Sequence, residues 1–234
     1  MDALWSCCDI IQCITLKERP ERRAAAEAQF AMVGLAGRVE FLEQERDVED
    51  GKRGCFHGHQ LAARNALQRG AKCALTFEDD VTFLAHFTPY AAARAAAFLR
   101  ANDTAAVDWT IFFLGHFPRK MELIDGWPDI VRVRSMDGHA YMLSPAGARA
   151  LCGISYQGDQ VDVSFHYCCP SAYALYPMVA VQAPGTSDTE MLQRADDWND
   201  DKLKRERELY QGCVSRKALA QALGQSVVAL APPQ

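Results

Sequence analysis

Three consecutive carboxylates, Glu78-Asp79-Asp80, are the residues best suited to chemistry in this sequence. They follow an apolar run, Ala74-Leu75-Thr76-Phe77, that has the character of a buried strand. Adjacent charges inside a buried strand are costly, because a desolvated carboxylate needs a compensating partner. The triplet is therefore predicted to lie at a strand end. Clustered oxygen ligands suit Mg²⁺ or Mn²⁺ and, through the metal, a diphosphate; a solvated acidic turn is the alternative.

The elements that must position this triplet alternate between strands and helices. Apolar runs predict strands at Ile10–Leu16, Val39–Leu42, Cys73–Phe77, Asp108–Leu114, Ile130–Val133, His139–Leu143 and Tyr173–Gln182. Helical spacing with proline, serine or glycine at the ends predicts helices at Glu21–Val33, Gly54–Gly70, Thr88–Leu99, Ser144–Leu151 and Lys217–Leu223. This alternation indicates an α/β layered domain, in which ligands bind outside the carboxyl ends of the strands.

The chain is expected to form one domain over residues 1–234, with a core at about 10–190 and a charged, helical C-terminal extension at 191–234. A basic run interleaved with acids lies in this extension and comprises Lys202, Lys204, Arg205 and Arg207. It is expected to be a solvated helix face, and contact with a membrane surface is the alternative.

The composition limits the classes of function. Hydrophobic residues make up 49% and charged residues 24% of the 234 residues, as in an ordinary globular protein. A net charge of −5 argues against nucleic-acid binding.

No transmembrane segment is expected, since no apolar stretch reaches roughly 18 to 20 residues. Met1–Leu16 lacks a basic start like that of a signal peptide, so a cytoplasmic location is expected, with peripheral membrane attachment as an option. The nine cysteines include no Cys-x-x-Cys pair and are expected to be reduced thiols.

Several segments, in order and spacing, resemble glycosyltransferase family 25, which includes lipooligosaccharide and procollagen galactosyltransferases. The resemblance covers roughly residues 10 to 190. The segments that carry it are Ile14-Thr15-Leu16-Lys17-Glu18-Arg19-Pro20-Glu21-Arg22-Arg23, Gly54-Cys55-Phe56-His57-Gly58-His59, Phe77-Glu78-Asp79-Asp80-Val81, Asp108-Trp109 to Leu114-Gly115, His139-Ala140-Tyr141-Met142-Leu143-Ser144 with Gly147-Ala148 and Leu151, Val161-Asp162, and Tyr176-Pro177 to Val181-Gln182 with Ser187-Asp188.

The resemblance implies a GT-A-type, nucleotide-sugar-binding layered domain with a mixed central sheet. Asp80 is expected to bind Mn²⁺ or Mg²⁺ directly, Asp79 to contact the metal or the sugar, and Glu78 to orient the ribose or metal-bound waters. A divalent ion held in this way stabilises the charge that the departing nucleoside diphosphate acquires. One metal ligand with two outer carboxylates is the alternative, since Mg²⁺ takes few protein ligands.

The remaining donor contacts are expected from the first strand and the turn that follows it. By the resemblance, Thr15 and Leu16 border the nucleobase. Arg19 and Arg22, with Arg23 as a further candidate, suit phosphate because the guanidinium fork binds it in two-pronged fashion. In the next matching segment, His59 corresponds to the family's histidine and is assigned to the site, whereas His57 is expected to be incidental. Core packing is expected for Trp109, while Tyr141 is a candidate for contact with a sugar or base.

An inverting transfer, which the resemblance implies, needs a base that takes the proton of the acceptor hydroxyl. Asp162 is the leading candidate, with Asp159 and Asp188 as rivals; a helix cap or an acceptor-binding group is the alternative role for Asp162. The main hypothesis is a metal-dependent transferase that moves a hexose, with galactose as the leading choice, from a UDP-sugar to a glycan or glycoprotein.

Two other function classes stay open. The family's Asn, Ser and Trp are replaced here by Thr15, Gly58 and Ala63, which favours an inactive family 25-like domain that binds a glycan or a protein. A phosphotransfer or nucleotidyl-transfer enzyme could use the same carboxylates. The absence of a Gly-rich P-loop argues against a kinase or NTPase.

Overall fold

The computed structural model of the protein describes residues 1–103, 109–187, 193–194 and 197–222. In chain order its elements are α1 (Asp2–Trp5), β1 (Ile10–Leu16), α2 (Pro20–Met32), β2 (Glu40–Gln44), α3 (Gly51–Gln68), β3 (Ala74–Glu78), β4 (Val81–Phe83), α4 (Pro89–Asp103), β5 (Ile111–Ile124), β6 (Trp127–Leu143), α5 (Pro145–Cys152), α6 (Val161–Cys168), β7 (Ala172–Leu175), β8 (Ala180–Gln182), β9 (Gly185–Thr186), β10 (Gln193–Arg194) and α7 (Trp198–Ala222). The predicted alternation of strands and helices is confirmed.

A six-stranded sheet organises the fold, with strand order β2-β1-β3-β6-β5-β7. The pairs β1–β2, β1–β3 and β5–β7 are parallel. The pairs β3–β6, β5–β6 and β6–β7 are antiparallel. The predicted α/β class with a mixed central sheet is therefore confirmed. Two short antiparallel pairs, β4–β8 and β9–β10, lie outside this sheet.

Hydrophobic side chains fill both faces of the sheet. One cluster joins α1, α2 and α4 to the sheet through residues such as Trp5, Phe30 and Phe98, and the other joins α3, α5 and α6 to it through Phe56 and Phe165. Successive strand residues alternate between the faces, as the pleat requires. Glu78 ends β3 and follows this alternation, whereas Asp79 and Asp80 lie in the turn after the strand.

Local capping chemistry sets the helix starts next to the site. The side chain of Asp50 accepts hydrogen bonds from the backbone N–H groups of Lys52 and Arg53, so α3 begins at Gly51 rather than at the predicted Gly54. Pro20 opens α2, and Ser144 with Pro145 opens α5 as predicted.

The strands of the β5–β6 hairpin are longer than predicted from the sequence. The predicted strands Ile130–Val133 and His139–Leu143 are one strand, β6, and β5 continues beyond the predicted end at Leu114 to Ile124. Polar and charged residues in these extensions hid the strand pattern, because only one side of the ribbon is packed. Asp108, the predicted first residue of β5, lies outside the described residues. The predicted strand Tyr173–Gln182 is divided into β7 and β8.

The C-terminal extension also differs from prediction. Its helix, α7, begins at Trp198 rather than at Lys217 and packs against β5. The predicted helix end at Leu223 lies outside the described residues. No helix in the described ranges is long and apolar enough to cross a membrane.

Gly147 marks the tightest approach of α5 to the sheet. A Cβ atom at this position would lie 2.1 Å from the backbone oxygen of Thr110, which is too close for any side chain. We predict that Gly147→Ala lowers the free energy of unfolding by about 1 to 3 kcal/mol, the usual cost of overpacking, as measured by urea denaturation. The control is Gly212→Ala within α7, where an added Cβ would meet only the flexible side chain of Arg216. Gly212→Ala should be as stable as the parent protein or more stable. Equal losses of unfolding free energy in the two variants would contradict the close packing inferred at Gly147.

Candidate functional site

The carboxyl ends of β1 and β3 lie side by side at one edge of the sheet. The two strands are parallel, with Ile14 opposite Glu78. The segment after β1 therefore runs next to the segment after β3. This places Thr15 and Leu16 beside the acidic triplet, as the expected ligand site of an α/β sheet requires.

Asp79 and Asp80 form a buried pair around one arginine. Their exposed fractions are only 7% and 5%. Nη2 of Arg22, in the first turn of α2, lies 2.9 Å from Oδ1 of Asp79 and 2.9 Å from Oδ2 of Asp80. Thr15 Oγ1 donates a hydrogen bond of 2.7 Å to Asp79 Oδ2. The arginine thus supplies the positive charge that two buried carboxylates need.

The pKa of Asp79 is raised to about 6 by burial, which disfavours the charged carboxylate. Arg22 and the hydrogen bond from Thr15 oppose this effect, and the neighbouring carboxylates of Asp80 and Glu78 add to it. The positive partner therefore only partly compensates the cost of desolvating this side chain.

Glu78 is separated from the other two acids and points toward α3. Its Oε1 lies 3.1 Å from Nε2 of His59, and its Oε2 accepts a 3.4 Å hydrogen bond from Nε2 of Gln182. The other ring nitrogen of His59, Nδ1, lies 2.7 Å from the hydroxyl of Tyr141. The triplet therefore faces two environments, because Glu78 is the last residue of β3 whereas Asp79 and Asp80 lie in the turn that follows the strand.

Cys55 joins His59 and Glu78 in a group that the sequence did not predict. One ligand atom from each of the three residues lies within 4.8 Å of the others. Cys55 and His59 are four positions apart on α3, so their side chains share one face of the helix. The Cys-x-x-x-His spacing in the sequence could have indicated that Cys55 and His59 lie together. The approach of Glu78 to them is visible only in the folded structure.

Two adjoining cavities surround these groups. The smaller has a volume of about 90 Å³, and its lining includes every residue expected at the donor apart from Arg19 and Arg23, namely Thr15, Leu16, Arg22, His59, Glu78, Asp79 and Asp80. The larger has a volume of about 320 Å³, and its lining includes Asp162, Asp137, Arg119 and Trp198. Cys55 and Glu78 line both cavities, so these two residues mark their junction.

Two of the predicted arginines lie outside the cavity linings. Arg19 Nε binds Glu21 Oε1 at 2.5 Å. Arg23 pairs with Glu27 and Glu43 and lies over the ring of Phe41. The fold thus brings Arg22 alone of the three to the acidic pair, because α2 turns the other two toward acidic partners on the surface.

Asp162 lies at the start of α6, in the wall of the larger cavity. Its Oδ2 accepts a 3.1 Å hydrogen bond from the backbone N–H of Asp137, and its Oδ1 accepts one of 2.8 Å from that of Val163. Burial raises the pKa of Asp162, and these backbone donors oppose the rise. Of its rivals, Asp159 is exposed, and Asp188 lies outside the described residues.

The prediction that the basic run of the C-terminal helix is exposed to solvent is wrong at Lys202. This side chain is 1% exposed; its Nζ pairs with Oδ2 of Asp137 and donates a 3.0 Å hydrogen bond to Oε1 of Gln182. One helical turn later, Glu206 is also buried and accepts hydrogen bonds from the backbone N–H of Met178. The mixture of positive and negative residues is typical of an exposed helix, so the sequence carried no sign that Lys202 and Glu206 pair with buried polar groups. Lys204, Arg205 and Arg207 are exposed as expected.

The aromatic candidates both pack inside the protein. Trp109 belongs to the hydrophobic core, as predicted. Tyr141 is fully buried, stacked on His59 with ring centroids 5.6 Å apart, and so contacts the site through that histidine. His57 is exposed, because residues two apart on α3 point in different directions.

Comparison with known proteins finds distant similarity to glycosyltransferase 25 family members. The chain is 24% identical over 181 residues to "Probable inactive glycosyltransferase 25 family member 3" of Bos taurus, an alignment that covers 67% of this chain and 30% of the relative. It is 27% identical over 172 residues to "Inactive glycosyltransferase 25 family member 3" of Homo sapiens, covering 61% and 28%. The chain thus spans about 30% of the length of these relatives. No family model matches the sequence.

Similar solved structures include apo-UDP-glucose pyrophosphorylase, with a TM-score of 0.46, 7% sequence identity and coverage of 90% of this chain and 85% of the other. A197 from STIV gives a TM-score of 0.47 at 12% identity, covering 80% and 95%. Likeness at this level assigns no function to the chain.

The raised pKa of Asp79 predicts a pH-dependent loss of stability. A carboxyl that holds its proton more tightly in the folded state stabilises the fold fully below its unfolded pKa of 3.8, and this contribution is lost as the pH rises through about 6. The free energy of unfolding should therefore fall between pH 4 and pH 7, relative to Asp79→Asn, by at most about 3 kcal/mol. Urea denaturation of both proteins across this range measures the difference. The raised pKa of Asp79 would be contradicted if the difference in unfolding free energy between the two proteins stayed constant with pH. It would also be contradicted if the parent protein gained stability relative to Asp79→Asn as the pH rose.

Proposed function

We propose that the chain is a glycosyltransferase domain of family 25 and GT-A type that moves a hexose from a UDP-sugar to a glycan or glycoprotein. The reaction is metal-dependent and inverting, and galactose is the expected hexose. One observation carries the proposal: seven residues chosen from three separate sequence segments line a single cavity, and the proposed base lines the cavity next to it.

The acidic pair has the chemistry of a hard-cation site. Oxygen atoms of Asp79 and Asp80 already surround a positive charge, the Nη2 of Arg22, and Mn²⁺ and Mg²⁺ prefer carboxylate oxygens. A divalent ion at this pair supplies stabilisation of the negative charge on a leaving diphosphate. Arg22, which lies beside this pair, is assigned to a phosphate oxygen of the donor. Thr15 and Leu16 form the wall assigned to the nucleobase.

The larger cavity is assigned to the acceptor. Trp198 is 45% exposed there and offers an apolar ring face, the kind of surface on which a sugar ring can pack. Asp162 lines the same cavity, and burial moves its pKa toward neutrality, as a general base needs. Because the cavities meet at Glu78, an acceptor hydroxyl in the larger one has a route to a donor sugar at the junction.

A non-catalytic binding domain is the second candidate, and two observations favour it. Arg22 already pairs with both carboxylates that a catalytic cation would need. The relatives named above are described as inactive. A domain of this kind would keep the cavities for a glycan or protein ligand without a metal-dependent reaction.

A thermal-shift experiment tests donor binding. Ligands that bind only the folded state raise the melting temperature, so UDP-galactose or UDP with Mn²⁺ should produce a larger shift than either component alone. Asp80→Asn should lose the metal-dependent part of the shift. Asp159→Asn, at an exposed aspartate outside both cavities, is the matched control and should keep it. An absence of any shift with nucleotides would favour the binding-domain alternative.

Turnover separates an enzyme from a binding domain. We expect Mn²⁺-stimulated hydrolysis of the UDP-sugar, measured as released UDP, with water in place of the acceptor. Asp162→Asn keeps an oxygen for one of the two backbone donors but is a poor base, so hydrolysis should fall by about 10²-fold or more while the thermal shift with UDP and Mn²⁺ persists. Unchanged hydrolysis in Asp162→Asn would remove that residue from the proposed mechanism.

A further inference from the structure

We propose that Cys55, His59 and Glu78 bind a thiophilic divalent ion of the Zn²⁺ class at the junction of the two cavities. This site is separate from the hard-cation site at Asp79 and Asp80. It depends on side chains that the proposed transfer reaction does not need as metal ligands, so it can exist whether or not the chain is an enzyme.

The geometry of the three ligands suits a small tetrahedral ion. Zn–N and Zn–O distances of about 2.0 to 2.1 Å place two ligands of a tetrahedral ion roughly 3.3 Å apart. The observed separation of His59 Nε2 and Glu78 Oε1 is 3.1 Å. The sulfur of Cys55 lies within 4.8 Å of both, whereas a zinc–sulfur bond of about 2.3 Å in a tetrahedral site places the sulfur roughly 3.6 Å from the other ligand atoms. Binding would therefore require Cys55 to move toward the other two ligands by up to about 1 Å.

Contacts around the ligands hold two of them in place. His59 is fully buried and packs between Tyr141 and Phe165. The two ring nitrogens of His59 contact Glu78 on one side and the Tyr141 hydroxyl on the other; a metal on Nε2 would leave Nδ1 in contact with that hydroxyl. Gln182 donates to the second oxygen of Glu78 and leaves the first directed at His59. Partners of this kind orient ligands in known metal sites and raise affinity.

The choice of ligand atoms indicates which metal is preferred. A thiolate, an imidazole and a carboxylate form a softer set than two aspartates, and sulfur selects zinc over magnesium or manganese. On binding, the thiol of Cys55 loses its proton to solvent and the sulfur donates a lone pair to the metal. No change in oxidation state is involved.

Three protein ligands leave one position of a tetrahedral ion for water or another small ligand. All three residues line the smaller cavity, and Cys55 and Glu78 also line the larger. The open position therefore faces the cavities rather than the protein interior. An ion there would be accessible to solvent and to small molecules entering from either side.

Metal titration of the full chain tests this site directly. The protein is first treated with a chelator and dialysed. It is then titrated with Zn²⁺ in competition with an indicator dye, and separately with Co²⁺ while the absorption spectrum is recorded. We expect one tight Zn²⁺ equivalent per chain and a near-ultraviolet charge-transfer band for Co²⁺, since that band requires a thiolate ligand. Mg²⁺ should not displace the bound ion.

Variants distinguish this site from adventitious binding by the other cysteines. Cys55→Ser should abolish the cobalt band and weaken Zn²⁺ binding by about 100-fold or more, beyond the usual effect of losing an outer contact. Cys152→Ser is the matched control, because Cys152 is also partly buried but lines neither cavity. It should behave as the parent protein. Retention of the band in Cys55→Ser, or equal losses in both variants, would overturn the proposal.

Two further variants keep the test independent of the proposed function. Glu78→Gln preserves shape and should weaken Zn²⁺ binding without removing the cobalt band, because the thiolate remains. Asp80→Asn should leave both zinc readouts unchanged even if it loses the response to UDP and Mn²⁺. If Asp80→Asn removed zinc binding and Cys55→Ser did not, the tight site would be the acidic pair and the assignment to Cys55 would fail.

Discussion

The ion pair of Arg22 with Asp79 and Asp80 is the constraint on which the rest of the site depends. Two carboxylates at a strand end are buried, and one guanidinium nitrogen lies 2.9 Å from an oxygen of each. Removing a partner from such a buried group costs about 3 to 5 kcal/mol, because charge is left uncompensated. The interaction therefore fixes the start of α2 against the end of β3, and it closes one side of the smaller cavity.

The end of β3 divides the acidic triplet between two tasks, because Glu78 belongs to the strand and Asp79 and Asp80 belong to the turn after it. Asp79 and Asp80 turn toward α2 and its arginine, whereas Glu78 turns toward α3 and His59. One short segment can thus supply hard oxygen ligands on one side and complete a mixed sulfur, nitrogen and oxygen set on the other. The boundary between the two cavities coincides with this change of direction.

Local signals made the fold class and much of the site predictable from sequence. The apolar strands β1 and β3 and the acids after β3 can be read from short windows, and parallel pairing brings them together. The grouping of Cys55 with His59 and Glu78 was missed because its third member comes from another element. Lys202 was missed because a buried ion pair with Asp137 has the same local sequence pattern as a solvated helix face. The β5–β6 extensions were missed because a ribbon packed on one side carries polar residues along the other.

The buried contact between His116 and Glu206 joins residues 90 positions apart in the chain. It fastens α7 to β5, and α7 in turn brings Trp198 into the lining of the larger cavity and Lys202 against Gln182, which also lines it. Contacts between such distant positions form late, since the loop between them must first lose its conformational freedom. The residues that line the smaller cavity, at positions 14 to 80, leave the ribosome well before α7, whereas the larger cavity also needs Trp198 from that helix.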